Sequence, residues 1–485
     1  MSEPKKVGRR TFLNYAIAVV ATGVIVGAAT YLATPKGVTT VTAPGTTVTT
    51  TKTVTTTVAG TPTTSPTTSP TTSPITSPTI KPTTITYWTT LTQPIRIDIQ
   101  QKIIAKFEKE YPGMKVNMET VPWTEAQDKI IKAYSAGVGP DVSIGGMGWC
   151  VTFYKAKMAS PVDDIVDKLG GKGAFAPDAL RDVTLDSVIT GMPLYGTPNC
   201  LYYRKDLFEA KGLTAEKAHS SWEDFYDVAK SLTEPPNRYG FVGMGLADIH
   251  CTKTIWSFLL TNNATVFDKD LNLVFNTPET IETYEYLAKL YGDTAPPGIV
   301  GWKLSDAETA YLAGAATIEH DSSGFIKTIN SEKPELVPKT DVMPIPKRKR
   351  EGGYGHGGGV TLIVYNTPRL DAAKLFVEFF MRWDNYIEFC KVWPEMHFPV
   401  YTKMRTDPDY LNSVDPKWKS LIEKAANMLQ YQSTSANWYR IAPWSSIMES
   451  KMTLAQPLIK MLVDKWPAEK AVAYGEELIK EIMKG

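Results

Sequence analysis

The sequence predicts an α/β protein of more than one domain. The chain has 485 residues, more than one hydrophobic core organises, so it divides into domains. Stretches patterned as strands and helices alternate between Thr84 and Ile144; that order implies a parallel sheet with right-handed crossovers. Near the middle, Gly191 to Leu213 opens on the turn residues Pro193, Gly196 and Pro198. It runs into strand-forming Leu201, Tyr202 and Tyr203, then into a helix from Lys205 to Lys211 that Gly212 stops.

The first 84 residues belong to no such domain. Lys5, Lys6, Arg9 and Arg10 precede an uncharged run from Thr11 to Pro35, apolar or small throughout from Ala16 to Ala33. Roughly 20 residues of this kind cross a bilayer as a helix, and the basic flank stays cytoplasmic. Residues 1–36 therefore predict a signal or membrane anchor, and the length of the run favours an anchor. Arg9-Arg10-Thr11-Phe12-Leu13 resembles the twin-arginine export motif. No cysteine follows the run, which excludes a lipid anchor there. Residues 37–84 are nearly all Thr, Ser, Pro and Val, with Thr-Thr-Ser-Pro repeated at 63–66, 67–70 and 71–74. Such a segment buries no core and extends as a polyproline-type stalk, a frequent carrier of O-linked glycans. The order anchor, stalk, cargo places residues 85–485 outside the membrane. Asn263-Ala264-Thr265 is an N-glycosylation sequon, with Asn263 as acceptor.

The cargo region reads in order. Thr84 to Thr90 is a first strand. A helix from about Arg96 to Glu110 carries Ile99, Ile103, Ile104 and Phe107 at helical spacing. Lys115 to Val121 alternates as a second strand. Trp123 to Ala136 is a second helix, with Thr124 as its expected N-cap and Gly137 at its end. Gly139 to Ile144 leads a third strand into a glycine-rich loop at 145–148. In parallel sheets ligands sit beyond the carboxyl ends of the strands. Those ends are Thr89 and Thr90, Pro122 and Trp123, and Gly145 to Trp149.

Charge is balanced, 52 Lys and Arg against 51 Asp and Glu, which argues against nucleic acid as a bulk partner. The basic run Lys347 to Arg350 reads as a solvated loop between strands. Cys150, Cys200, Cys251 and Cys390 form no CxxC pair; two disulfides or four buried thiols both remain open. Asp268, Asp270, Asn272 and Glu279 mimic a calcium loop, but Leu273 stands where the sharp turn needs glycine. The glycines of 352–359 lack the Gly-Lys-Ser/Thr of a phosphate loop. Neither Gly-x-Ser-x-Gly nor His-Glu-x-x-His occurs. No catalytic residue, metal or cofactor is expected.

The central segment resembles the lobe crossover of extracellular solute-binding proteins of the maltose-binding type, with Arg204 where that family has Asn. Other motifs follow in the family's order. Ala136-Gly137 with Pro140-Asp141-Val142 is similar to its Ala-Gly-x-x-Pro-Asp-Val. Ser221 to Phe225 followed by Leu232-Thr233, Asn276 to Glu279, Ala316 to Ile318 and the Ala372-Ala373 helix resemble successive family segments, and Ala468 to Met483 resembles its closing helix. The resemblance covers nearly all of 85–485. It implies a two-lobed periplasmic-binding-protein-like fold of type II, each lobe a mostly parallel sheet flanked by helices, hinged at a ligand cleft. Residues 85–196 would form one lobe, completed by a return strand near 355–385. Residues 197–350 would form the other, and 351–485 would return to the first lobe and complete both.

The resemblance implies a monomeric, non-catalytic protein that captures a sugar or oligosaccharide and delivers it to an ABC permease with separate ATPase subunits. Peptide or glycerol phosphate ester binding by the same fold, a secreted glycoside hydrolase, and a structural surface protein are the alternatives. A hydrolase needs two carboxylates flanking a bond; Glu319 and Asp321 share one loop or strand. Only Arg440 stands near the candidate loops, which favours a neutral polyol over a phosphate ester. The expected ligand residues are Thr89, Thr90, Trp123, Gly146, Met147 and Trp149 of the first lobe and Tyr195 and Asn199 of the crossover. Glu319, His320, Asp321 and Ser322 follow from the strand near 318, Tyr354, His356 and Gly357 from the return strand, and Trp438 and Trp444 from the C-terminal region. Aromatic faces pack on the C–H faces of a sugar, polar groups replace its water, and glycines let backbone approach.

Overall fold

A computed structural model describes residues 81–350, 355–433, 442 and 444–484. The anchor, the stalk up to Ile80, Tyr354 and Trp438 lie outside the described residues. Among those described, no helix is long and apolar enough to cross a membrane.

The chain starts as the alternation predicts: β1 (Thr83–Thr89), α1 (Pro94–Glu110), β2 (Met114–Thr120), α2 (Trp123–Ser135) and β3 (Val142–Gly146). Helix α1 buries Ile99, Ile103, Ile104 and Phe107, and proline opens its first turn, where a missing N–H costs no hydrogen bond. The N-cap of α2 is Pro122; the expected cap, Thr124, lies within the first turn. The expected loop at 145–148 is also corrected. Met147 starts helix α3 (Met147–Lys155), whose Cys150, Val151 and Phe153 are fully buried in the core.

Strand β4 (Met192–Thr197) then crosses at Pro198 into β5 (Asn199–Arg204) of the second lobe. That lobe continues with β6 (Tyr239–Phe241), α4 (Cys251–Thr261), α5 (Pro278–Thr294), α6 (Leu304–Leu312), β7 (Ala316–Ser322) and β8 (Thr340–Met343). The chain returns as β9 (Gly358–Val364) and α7 (Leu370–Met381), and ends in α8 (Ser445–Ser450), α9 (Ala455–Asp464) and α10 (Ala468–Lys484).

Two sheets result, ordered β2-β1-β3-β9-β4 and β8-β5-β7-β6. Strand β1 is parallel to β2 and β3, and β6 is parallel to β7; β9 is antiparallel to β3 and β4, and β5 to β7 and β8. The sheets are thus more mixed than expected. The reason is where the chain changes lobes. Strands β1, β3, β4 and β7 end at the plane between the lobes, whereas β5 and β9 enter there and run away from it. Each lobe has its own core. Ile85, Ile144, Leu194, Leu362 and Phe376 belong to the first; Leu201, Trp222, Phe258, Ile318 and Ile479 belong to the second.

The basic run is occupied by ion pairs: Arg348 meets Glu223 and Glu282, and Lys349 meets Glu279 and Glu282. Asp268 accepts hydrogen bonds from the Asp270 and Asn272 backbone and from the Asn272 side chain, a local turn. All four cysteines are free, buried thiols. Asn263 is exposed just past α4 with φ 61°.

Asp141, fully buried, ties the first sheet together. Its carboxylate accepts from the Thr86 backbone N–H at 2.8 Å, from Arg369 Nε at 2.8 Å and from Thr367 Oγ1. One group thereby joins β1, the start of β3 and the turn into α7. Removing it leaves three part-buried donors without their shared acceptor. Asp141→Ala should lower stability by about 2 kcal/mol, measured as a shift in the urea midpoint at constant m; an unmoved midpoint would show that the cluster adds nothing.

Candidate functional site

A cavity of about 330 Å³ lies between the two lobes. Its first-lobe wall comes from the loop after β1 (Thr90, Leu91), the first turn of α1 (Arg96), Trp123, the β3–α3 junction (Gly146 to Trp149) and Tyr195. Thr197, Asn199, Gly358 and Gly359 form the hinge side. The second lobe supplies His250 and Lys253 at the start of α4, Leu304, Asp321, Ser322, Ser445 and Glu449. Helix α8, which carries Ser445 and Glu449, packs against α3 across the cleft.

The aromatic wall is built by the two glycines before Met147. A Cβ on Gly145 would stand 2.5 Å from Trp149 Cε3, and one on Gly146 3.3 Å from its Nε1. Without those carbons the indole lies on the strand end and meets Trp123, ring centroids 4.9 Å apart at 31°. Trp149 is buried and Trp123 is 39% exposed, so the pair presents a face at the rim.

The hinge is held by Gln432, whose side chain accepts from Asn199 N at 3.1 Å and donates to Asn199 O at 2.5 Å. Tyr202 Oη donates to Ser322 O at 3.0 Å, and Ser323 N to Pro198 O at 2.9 Å. These bonds place Asn199 and Ser322 side by side, paired across β5 and β7.

Several buried polar atoms of the cavity wall find no partner among the described residues: Thr90 Oγ1, Arg96 Nε, Asp321 Oδ2 and Ser445 Oγ. Such atoms are costly unless something hydrogen-bonds them. Asp248 sits beneath the second-lobe wall. Burial alone would raise its pKa, but hydrogen bonds from His250 and the Leu304 N–H hold it at about 2. Burial, with Lys253 nearby, lowers the pKa of His250.

The structure brings Thr90, Trp123, Gly146, Met147, Trp149, Tyr195, Asn199, Asp321 and Ser322 together on one cavity. Other expected residues stand elsewhere. Thr89 is fully buried and accepts from the Leu91 N–H at 3.1 Å, so it shapes the turn. Glu319 and His320 lie inside the second lobe, three and two residues short of the strand end. Gly357 touches Gln432 and lines a separate small cavity with Asp178 and Arg181. Trp444 packs its ring on Phe267 at 5.3 Å, in the second-lobe core next to cavity-lining Ser445. His356 stands in the short strand Gly355–His356, paired with Gln432–Ser433; Tyr354 and Trp438 lie outside the described residues. Sequence reasoning missed Arg96, Lys253 and Glu449. For Arg96 the signal was present, because the first helical turn after a strand end faces the same space as the loop.

An acidic cluster underlies the floor. Glu319, with both carboxylate oxygens unpartnered, has its pKa pushed well above the carboxylate range by burial and by Asp321 and Glu308. Burial and Glu308 push Asp321 up in turn. His320 Nδ1 lies 2.9 Å from Thr254 Oγ1, and burial with Lys253 holds its pKa down at about 3.

The chain matches the family model for bacterial extracellular solute-binding proteins over residues 95–382. A putative ABC transporter periplasmic-binding protein of Escherichia coli (strain K12) is 26% identical over 323 residues, 65% of this chain and 73% of that one. The fold matches maltose-bound MalE3 of T. maritima with a TM-score of 0.67 at 20% identity, covering 82% of this chain and 99% of that one. It also matches an ABC transporter solute-binding protein of Agrobacterium radiobacter K84 in complex with ribitol, with a TM-score of 0.65 at 20% identity, covering 83% and 99%.

A carboxyl kept protonated in the folded protein but ionised in the unfolded chain makes stability fall as pH rises from the unfolded pKa towards the folded one. Glu319 and Asp321 thus oppose stability increasingly above about pH 4. His320, kept neutral, acts oppositely: its contribution is lost as pH falls from about 6.5 to about 3. Glu319→Gln should therefore raise the melting temperature relative to wild type at pH 8 and change it little at pH 4. An equal effect at both values would show that Glu319 is not protonated in the fold.

Proposed function

The chain belongs to the family of bacterial extracellular solute-binding proteins, and from that premise we propose that it captures a sugar, sugar alcohol or short oligosaccharide. Such proteins are the solute-binding components of ABC transporters and are not enzymes. The observation that carries the sugar reading is the composition of the cleft. The Trp123–Trp149 face on the first lobe opposes Asn199, Asp321, Ser322 and Ser445 on the hinge and second lobe. That is the pairing of stacking face and polar groups a pyranose or polyol requires. A cavity of about 330 Å³ suits a short ligand.

Binding works by differential contact. A ligand that touches both lobes stabilises the closed arrangement over open ones by the contacts that only closure completes. The closed form then docks as a monomer on a membrane permease whose ATPase subunits are separate chains. The uncharged run of residues 11–35 and the stalk to residue 84 support tethering on the extracellular face, and the exposed sequon at Asn263 supports glycosylation there. Membrane fractionation with and without residues 1–36 tests the tether, which soluble full-length protein would sink.

Function is tested by a thermal-shift screen against mono-, di- and oligosaccharides and sugar alcohols, with peptides as controls. A ligand that binds only the folded state raises the melting temperature, and it must be recovered chemically unchanged. Trp123→Ala should then weaken the binding of a responding sugar by about 1–3 kcal/mol with the fold intact, read by calorimetry. Unchanged affinity would remove Trp123 from the site.

A further inference from the structure

We propose that the cleft recognises an acidic sugar or polyol, whose carboxylate or phosphate group is held by Arg96. This rests on the reading of the cleft as a sugar site and names the class of sugar. Arg96 is a cavity-lining residue only 3% exposed, and it forms no ion pair with any carboxylate among the described residues. Its guanidinium lies 4.2 Å from the centre of the Trp393 ring and 5.8 Å from that of Tyr195. Nη2 meets a thioether, Met396 Sδ, at 2.8 Å, and Nε has no partner among the described residues.

Thioether sulfur is a weak acceptor and aromatic faces do not neutralise a charge. A guanidinium taken out of water in this way lacks the anion its planar fork is built to bind. Trp393 and Tyr195 flank the guanidinium, and Met396, the residue at Nη2, itself lines the cavity.

The surroundings point the same way. Helices α1 and α3, which start at Pro94 and Met147, bring their first turns to the cavity wall, and neither has an acidic residue in its first turn or a side-chain cap. Their positive ends add to the field at the site. Among the described residues, the acids lining the cavity are Asp321 and Glu449 of the second lobe, near Lys253. The first-lobe wall is left with an uncompensated cation, and the hydroxyl acceptors stand opposite it. A ligand with an anionic end and a hydroxylated body matches that polarity. The sequence alone favoured a neutral polyol because Arg96 reads there as part of a helix.

The test is calorimetry on the full chain with matched pairs that differ in one group: D-glucuronate and D-glucose, D-gluconate and sorbitol, glycerol 3-phosphate and glycerol. Wild type should bind the acidic member of at least one pair more than about tenfold tighter, with an advantage that shrinks as salt rises. A carboxylate pair or the phosphate pair responding identifies the group. Arg96→Gln should abolish that preference, and Arg96→Lys should keep part of it. Neutral members binding as tightly as acidic ones in wild type would overturn the proposal and leave the sugar reading standing. So would a variant that weakens both members equally, which would assign Arg96 to packing. Failure of every sugar and polyol, beside binding of a peptide control, would overturn both. The wild-type ratio decides even if Arg96→Gln does not fold.

Discussion

The geometry of the cleft follows from where the chain changes lobes. At Thr197 to Asn199 a strand ends in one sheet and the next begins in the other, with Pro198 between them. A crossing at this plane dictates the direction of the strands beside it, because a strand that arrives there must run away from it. The antiparallel placement of β9 among four mutually parallel strands is that constraint seen in the sheet. It also brings strand ends and strand beginnings from both lobes to one level. Backbone groups and short side chains therefore line much of the cleft, and Arg96, Trp149 and Lys253 reach it from the first turns of helices.

Around that plane the protein sets apolar and polar surfaces against each other. On the first lobe, two glycines remove the side chains that would hold an indole away from the strand end. On the second lobe, the same sheet that delivers Asp321 to the cavity buries Glu319 and His320 behind it. The outcome for a titratable group depends on a shift of one or two residues along β7. At the strand end an acid can meet a ligand; short of it the acid is kept neutral by its surroundings. Protonation of the floor is thus a cost the fold bears for placing acids close to the cleft.

Much of the fold was legible because each lobe obeys local rules. Apolar spacing defined α1, the alternating run 115–121 defined β2, and glycine closed the helix after β5. Motif order supplied the two-lobed plan. The errors have physical causes. Thr124 looked like a cap because it precedes an apolar run, but Pro122 already fixes the entry into α2. Gly145 to Gly148 looked like a loop because glycine disfavours helix, yet burial of Cys150, Val151 and Phe153 outweighs that preference. In the site, residues at strand ends were found, whereas Lys253 and Glu449 were not. They reach the cavity from helices far along the chain, and only tertiary packing brings them there. Trp444 failed for the opposite reason: an aromatic near the cleft in sequence was claimed by Phe267 and the core.

The four cysteines carry a consequence for handling the molecule. Each is a lone, buried thiol, so no covalent crosslink enters the folded state. The fold needs no oxidant or disulfide isomerase to be completed, and reducing agents leave it intact. The surface is also free of competing native thiols. One cysteine introduced on each lobe could carry a donor and an acceptor dye, and lobe motion could then be followed in single molecules against the native cysteine background.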